Sequence, residues 1–340
     1  MSEDTHKKPV YKVGIACNIK RERGSDIEAE FDEPETVAAI SNALRERGHQ
    51  PFILEATEHF PQKVESEKPD IVFNIAEGKI GRNREAHVPA ILEYYNVPYT
   101  GSDAATLSLA LDKALTKQIV HNKGVQTPPY YVIKKGMLTL PVHIPFPVLV
   151  KPNAEGSSKG VTDNCVAENA AELKKLIARQ MEVYNQDLLA EQYIDGREFT
   201  VGVIGNDENM HVFEPMEIVY KKLRGSYKVY SYEMKKNYRE YISYECPPKL
   251  PAHLIKKIKK NAQIVYTSLG CLDFARMDFR LSNRGELFFL EINPLPGLAP
   301  DYSDFPMLAN FNGTKYNDLI NKVLDSAVSR HGMDKKQEKE

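Results

Sequence analysis

Arg276, Asp278, Glu291 and Asn293 lie within one stretch, ARMDFRLSNRGELFFLEINPLPG, residues 275–297. Residues 275–281 and 286–292 are apolar and aromatic enough for strands, and Ser282-Asn283-Arg284-Gly285 between them is a turn cluster. Side chains alternate along a strand, so Arg276 shares a face with Asp278 and Glu291 shares one with Asn293. If the strands pair, these four polar groups converge at the open end of a hairpin. Two carboxylates and an amide oxygen beside an arginine suit Mg²⁺ that also holds a nucleotide's phosphates, because Mg²⁺ keeps part of its shell for phosphate and water. A hairpin with a salt-bridged face is the plainer alternative. It leaves unexplained an acid inside a run as apolar as LFFLEIN.

Other stretches carry chemistry that is ambiguous when each is taken alone. Lys151 closes an apolar strand, and the loop from Pro152 to Gly160 is small and rich in glycine and serine. Such loops let backbone N–H groups approach phosphate oxygens while a lysine adds charge, but a plain turn has the same composition. Lys113 sits in LDKALTK, where a solvated helical lysine is the commoner outcome. Glu191 and Glu198 flank YIDGR at the ends of two apolar strands. An acid there can accept from two vicinal hydroxyls or simply border a hairpin turn. Lys235 and Lys236 are adjacent in a lysine-rich loop. The nine histidines show no nucleophile–base spacing. Neither G-x-G-x-x-G after the first strand nor G-x-x-x-x-G-K-[ST] occurs, which removes dinucleotide oxidoreductases and P-loop NTPases.

Together these stretches resemble a known family. R-x-D, a glutamate thirteen positions after the aspartate (291 − 278 = 13), then x-N and P-G are similar to the metal-binding end of the ATP-grasp ligases, in particular the D-alanine–D-alanine ligase branch. LDKALTK (111–117), VKPNAEGSSKG (150–160) and EQYIDGREFT (191–200) follow in that family's order and approximate spacing, so the resemblance spans most of the chain. It implies an α/β ATP-grasp fold, α+β in the ATP-binding part, with an N-terminal parallel-sheet domain. The implied activity is an ADP-forming carboxylate–amine ligase that activates a carboxylate as its acyl phosphate for attack by an amine. ATP and Mg²⁺, with Mn²⁺ as a substitute, are the implied cofactors.

The resemblance also assigns roles residue by residue. Ser157 and Ser158 cover the outer phosphates, Ser157 with a part in catalysis, while Lys113 and Lys151 contact phosphates. Glu191, Gln192, Tyr193 and Ile194 present the adenine edge, and Glu198 holds the ribose. Lys235 reaches the γ-phosphate. Asp278, Glu291 and Asn293 hold the metal. Arg276 and the Gly297 N–H face the oxyanion of the tetrahedral intermediate, where preorganised donors contribute strongly. Glu33, Glu77, Lys236, Tyr302 and Ser303 fall on the substrate side. A nucleotide-binding module without chemistry is the competing class, and it has no need of Arg276.

The departures from the family lie on that substrate side. A pattern like A-L-H-G becomes Ile75-Ala76-Glu77-Gly78. A short Gly/Ser loop with an amine-gripping glutamate becomes the charged stretch 19–33, in which Glu28, Glu30, Glu33 and the following Glu35 are not ranked. The loop lysine is followed by Lys236 rather than a tyrosine. Glu77 can instead cap the helix beginning near Glu85, or pair with Arg82 or Arg84. Taken together the changes predict an amino-acid ligase that is not dedicated to D-alanine. An acid at Glu77 favours a cationic or amine-bearing group and repels an added carboxylate.

Elements must position these groups. Strands are expected at 11–18, 51–55, 70–76 and 97–100, with helices from about Pro34 and over 85–95. Proline in the first turn and Gly48 as a stop bound the first helix. That alternation implies a parallel sheet whose ligands lie beyond the carboxyl ends of its strands. Residues 102–122 are helical with a break near Asp112, 169–181 form a helix, and 148–151, 188–193 and 198–205 form strands. Residues 220–244 are tyrosine- and lysine-rich with poor periodicity, and are expected as a mobile surface loop, ordered by nucleotide, followed by a strand or two. Residues 251–269 form a basic amphipathic helix. Expected boundaries are 1–108 for a Rossmann-like substrate domain, 109–190 and 191–330 for the two ATP-grasp halves, and 331–340 for a disordered tail.

The 340 residues suffice for two or three cores. Forty-five basic against 47 acidic residues leave a net charge of −2, which gives no field for nucleic acid or an anionic membrane. Four scattered cysteines and a polar N-terminus without an apolar signal core point to a cytoplasmic protein; the resemblance implies small amino-acid or peptide substrates as its partners. A homodimer is compatible with this reading.

Overall fold

The computed structural model describes residues 9–21, 28, 30–137, 144–156, 164–223, 225–231, 234–235 and 237–334. Ser157, Ser158, Lys236 and the end of the expected tail lie outside them.

The first sheet is parallel, in the order β2 (Gln50–Glu55), β1 (Lys12–Cys17), β3 (Ile71–Asn74). β1 and β3 are almost wholly buried, the signature of parallel strands covered on both faces. Helix α1 (Pro34–Glu46) starts on its proline, with Glu33 at the cap and Glu35 in the positive first turn. It ends just before Gly48, whose φ of 89° lies in the left-handed region. Helices α2 (Phe60–Glu67) and α3 (His87–Tyr94) complete the layers. The expected strand at 97–100 is reduced to a bridge between Val72 and Tyr99. Asn18 ties the carboxyl ends of the sheet together: its amide donates to the Ala56 carbonyl (3.2 Å) and accepts from the Gly78 N–H (2.9 Å). The chain segments leaving those ends therefore converge on one side.

The helical stretch after residue 102 breaks where expected. Asp103 caps α4 (Ala104–Leu111) by accepting from the Thr106 N–H, and Asp112 caps α5 (Lys113–Asn122) by accepting from the Leu115 N–H. A second, antiparallel sheet follows in the order β4 (Tyr130–Ile133), β7 (Leu188–Gln192), β5 (Val148–Pro152), β6 (Val166–Ala167), packed on α6 (Ala170–Tyr184). Asn169 caps α6 and Glu172 reaches back to the Glu168 N–H, a reciprocal cap.

The third sheet is antiparallel and has six strands. β11 (Ile242–Glu245), β10 (Met216–Tyr220), β8 (Gly196–Ile204), β12 (Phe274–Ser282) and β13 (Leu287–Asn293) lie side by side, and β9 (His211–Val212) pairs with β8. Helix α7 (Tyr238–Tyr241) precedes β11, and α8 (Ala252–Ser268) packs its apolar stripe on β8.

Two sequence expectations change here. Within 220–244, Val229 and Met234 are buried, and Tyr230 and Tyr244 bond to Asp304, so the segment is anchored on the fold rather than lying wholly on its surface. Its anchors are tyrosine hydroxyls and isolated apolar side chains, which leave no period in the sequence. In addition, α9 (Asp304–Phe311) and α10 (Tyr316–Arg330), absent from the sequence reading, close the chain. α10 packs on α1, and its Leu319, Ile320, Val323 and Leu324 share one core with Val13 and Ile15 of β1. The chain's two ends are thus joined in a single core. Past α10, His331 still packs against Tyr99, and Met333 lies on the same core.

Candidate active site

The β12–β13 hairpin sets Arg276 opposite Asn293 and Asp278 opposite Glu291, with a register irregularity immediately after Asp278. The turn that closes it needs a left-handed residue, and Gly285 supplies it with a φ of 81°. Arg276 is buried and pairs with Asp278 (3.0 Å) and Asp304 (3.5 Å). Burial raises the Asp278 pKa; Arg276 lowers it and the facing Glu291 raises it further. Glu291 behaves oppositely. Burial alone would raise it, but Lys151, Lys113, Lys235 and Arg276 together hold it down at about 2. The amide nitrogen of Asn293 is buried with no partner among the described residues. Two facing carboxylates and a neighbouring amide form an oxygen donor set suited to Mg²⁺, which would relieve their mutual repulsion.

Strand β5 brings Lys151 to this hairpin, its Nζ 2.8 Å from Glu191 and 3.7 Å from Glu291. Burial disfavours the Lys151 charge, yet the two glutamates raise its pKa above the ordinary lysine value. Lys113, at the start of α5, donates to the Glu155 carbonyl, and its burial lowers its pKa. Asn153 locks α5 to β5 by accepting from the Ala114 N–H (3.1 Å) and donating to Asp112 (2.8 Å). Lys235 lies over the Tyr230 ring, 4.8 Å from its centroid, and borders two adjoining cavities.

The smaller cavity, about 80 Å³, is lined by Lys151, Glu191–Ile194, Glu198, Asp278 and Glu291 among others. Here the geometry adds detail to the segment expected to meet an adenine edge. The Glu191 carboxylate is buried between Lys117 (3.0 Å) and Lys151, and these cations hold its pKa down against the effect of burial. The Gln192 and Tyr193 N–H groups donate to Pro129 and Pro147, and the Ile194 carbonyl accepts from Arg280. The Ile194 N–H has no acceptor among the described residues. Glu198 is engaged by Arg280 and by the Tyr220 hydroxyl at 2.6 Å, so its carboxylate is already partnered.

The larger cavity, about 690 Å³, runs from this point to the carboxyl ends of the parallel sheet. Gly297, Tyr302 and Ser303 form one wall. A Cβ on Gly297 would meet the Ser303 hydroxyl at 2.9 Å, so the backbone there is hugged closely by its own loop. Among the described residues of the 19–33 stretch, Glu30 is more deeply embedded than Glu33. The Glu30 carboxylate grips Arg84 through contacts of 2.8–3.2 Å and accepts from the Gly156 N–H at 2.7 Å. Glu33 is half-exposed and pairs with Lys20 at 3.5 Å. Glu77 takes neither of its expected partners: Arg82 pairs with Asp112 and Arg84 with Glu30.

Sequence reasoning missed Lys117, Glu85, Arg84, Arg280, Tyr220 and Asp304. Lys117 carried a signal, since it shares LDKALTK with Lys113, one helical turn on. Arg84, Arg280, Tyr220 and Asp304 pair with residues 22 to 82 positions away, as in Tyr220–Glu198 and Arg280–Glu198, and nothing local marks them or Glu85.

Comparison with known proteins agrees with this architecture. Residues 119–325 match the family model described as "D-ala D-ala ligase C-terminus". The chain is 33% identical over 292 residues to the D-alanine–D-alanine ligase of Aquifex aeolicus, covering 85% of this chain and 93% of that one. It is also 33% identical over 303 residues to the uncharacterized protein y4sG of Sinorhizobium fredii, covering 86% and 87%. The ATP complex of D-alanine–D-alanine ligase from Bacillus anthracis superposes with a TM-score of 0.74 over 95% of this chain and 99% of that one, at 20% identity, which speaks to the fold. The fold is that of an ATP-grasp enzyme. The chain belongs to the D-alanine–D-alanine ligase family. That membership makes it an ADP-forming ligase and sets aside the non-catalytic module. Among the described residues, no helix is long and apolar enough to cross a membrane.

Proposed function

We propose that the enzyme joins two amino acids through an ATP-activated carboxylate and is not a dedicated D-alanine–D-alanine ligase. The observation that carries this is the pair of cavities meeting at Lys235 and Glu291: a small one lined by cations and carboxylates in equal number and a large acid-lined one. ATP supplies the phosphoryl group and Mg²⁺ neutralises its charge when they are bound. Asp278, Glu291 and Asn293 are the residues that would hold the metal, and Lys113, Lys151 and Lys235 those that would hold phosphates. The segment Glu191–Ile194 and Glu198 take the nucleoside end, with Ser157 and Ser158 assigned to the phosphates by their place in the loop alone.

Arg276 is held rigid by Asp278 and Asp304, and Asp304 in turn by the Tyr230 and Tyr244 hydroxyls. A cation fixed in this way, with the Gly297 N–H, suits charge developing on an acyl oxygen, since preorganised donors need no reorganisation during reaction. Burial around the hairpin keeps water from an activated carboxylate. Glu77, Glu33, Lys236, Tyr302 and Ser303 belong to the substrate side.

The test is coupled ADP release across a panel of D- and L-amino acids, singly and in pairs, compared by kcat/KM. We expect a substrate other than D-alanine to lead in at least one position. D-alanine leading in both positions, with a KM in the ordinary range of about 1 µM to 1 mM, would sink the proposal.

A further inference from the structure

Among the described residues, the acidic end of the large cavity carries more carboxylates than cations. Lys20, on the same cavity, pairs with Glu33 at 3.5 Å; among the described residues, Glu30, Asp32, Glu77, Glu85 and Glu155 interact there mainly with two cations, Arg84 and Lys113. Arg84 and Lys113 are both committed. Arg84 is held by Glu30 and by the Ala154 carbonyl at 3.0 Å, with Glu155 at 3.5 Å, while Lys113 donates to the Glu155 carbonyl. Glu85 is 7% exposed and faces the cavity, and its carboxylate makes no hydrogen bond or ion pair within the described residues. The same holds for the Glu77 carboxylate, which faces the same space. A buried carboxylate without a partner is costly, so this wall is organised for something that enters it.

The chemistry of the entrant follows from charge. No three acidic, histidine or cysteine side chains among the described residues converge closely enough to cage a metal ion, so the acids are spread along the wall. A neutral amino acid enters as a zwitterion and adds no net charge to the surplus. An amino acid with a second positive group does.

We infer that Glu77 and Glu85 form a subsite for the side-chain ammonium or guanidinium of a basic amino-acid substrate. The inference deepens, and rests on, the ligase reading above. Burial, with Glu85 and Glu30 alongside, pushes the Glu77 pKa well above the ordinary carboxylate range, and burial lifts Glu85 to about 7 despite Arg84. Both acids are therefore readily protonated on their own, and a cation beside them would favour their charged forms.

The experiment compares lysine and ornithine, in both enantiomers, with norleucine, which has lysine's length without its ammonium. ADP release is followed in the wild type, Glu85→Gln and Glu77→Gln. We expect kcat/KM for the better basic amino acid to exceed that for norleucine by about tenfold or more, and that preference to fall severalfold in each variant with the KM for ATP little changed. If ADP is released but norleucine or alanine does as well as lysine, the charge inference is wrong and the ligase reading stands. If no amino acid releases ADP, the ligase reading fails. Calorimetric titration of lysine against norleucine, with a non-hydrolysable ATP analogue present, then decides the inference alone: equal binding overturns it, and tighter, salt-sensitive binding of lysine upholds it. Should Glu85→Gln not fold, the wild-type comparison and Glu77→Gln carry the same decision.

Discussion

Glu291 is the residue on which the basic groups converge, with Lys151, Lys113, Lys235 and Arg276 all lowering its pKa. Glu291→Gln removes one charge and one proposed metal ligand together. We expect ADP release to fall by at least about a hundredfold with circular dichroism unchanged, a loss in the range seen when one preorganised charge is removed. Near-normal turnover in the folded variant would exclude Glu291 from the reaction. The same carboxylates divide the pH dependence of stability. Glu291 has a folded pKa of about 2 against 4.5 unfolded, so its contribution is present above about 4.5 and lost as pH falls towards 2. Asp32 and Glu85 are raised to about 7, so theirs is present below their unfolded values of 3.8 and 4.5 and lost as pH rises to about 7. Glu85→Gln should therefore stabilise the ligand-free protein at about pH 8 by ~1–3 kcal/mol and change little at about pH 5. Urea unfolding at the two pH values checks this, and equal effects at both would contradict it.

Elements act here as carriers of single cations. Helix α5 presents Lys113 to the cavity and, one turn later, buries Lys117 completely against Glu191 and the Leu290 carbonyl at 2.8 Å. Lys117→Ala leaves Glu191 with Lys151 alone; a loss of ~3 kcal/mol is expected, as for other broken buried pairs, measured by urea unfolding. A change below about 0.5 kcal/mol would reduce Lys117 to a spectator. The segment after β10 is a different kind of carrier. Tyr230 and Tyr244 tether it to Asp304, while Lys221 and Lys222 are exposed. Trypsin cleavage at these two lysines is expected to slow severalfold when an ATP analogue and Mg²⁺ are added, in the manner of loops that close over substrate. Unchanged cleavage would place the segment outside nucleotide binding.

At the scale of the whole molecule, α10 connects the C-terminal part of the chain to the sheet that carries the acidic wall. Leu324 is fully buried in the core it shares with β1 and α1. Leu324→Ala is expected to cost about 2–5 kcal/mol. Because that core joins both ends of the chain, the midpoint should shift in fluorescence from residues of both ends alike. A transition confined to one end would show that the ends fold independently.

The hairpin and its four polar groups were legible from residues 275–297 because alternation along paired strands is a local rule, and the register bears it out. The helix break near Asp112 was legible too, since helix ends are marked by local residue types; that Asp103 and Asp112 serve as caps came from the structure. Order and spacing of four motifs sufficed for the family, and the substrate-side departures were visible as substitutions at Glu77 and in 19–33. The tertiary structure alone decided that Glu30 of that stretch is more deeply embedded than Glu33, that Arg84 is committed to Glu30, that Glu77 lacks the partners its neighbours offered, and that α10 returns to β1. These facts depend on pairings such as Glu30–Arg84, 54 positions apart, and on contacts between α1 and α10 near the chain's two ends. Periodicity and turn chemistry extend over a few residues, whereas charge balance in a buried cavity is set by whichever side chains the fold brings together.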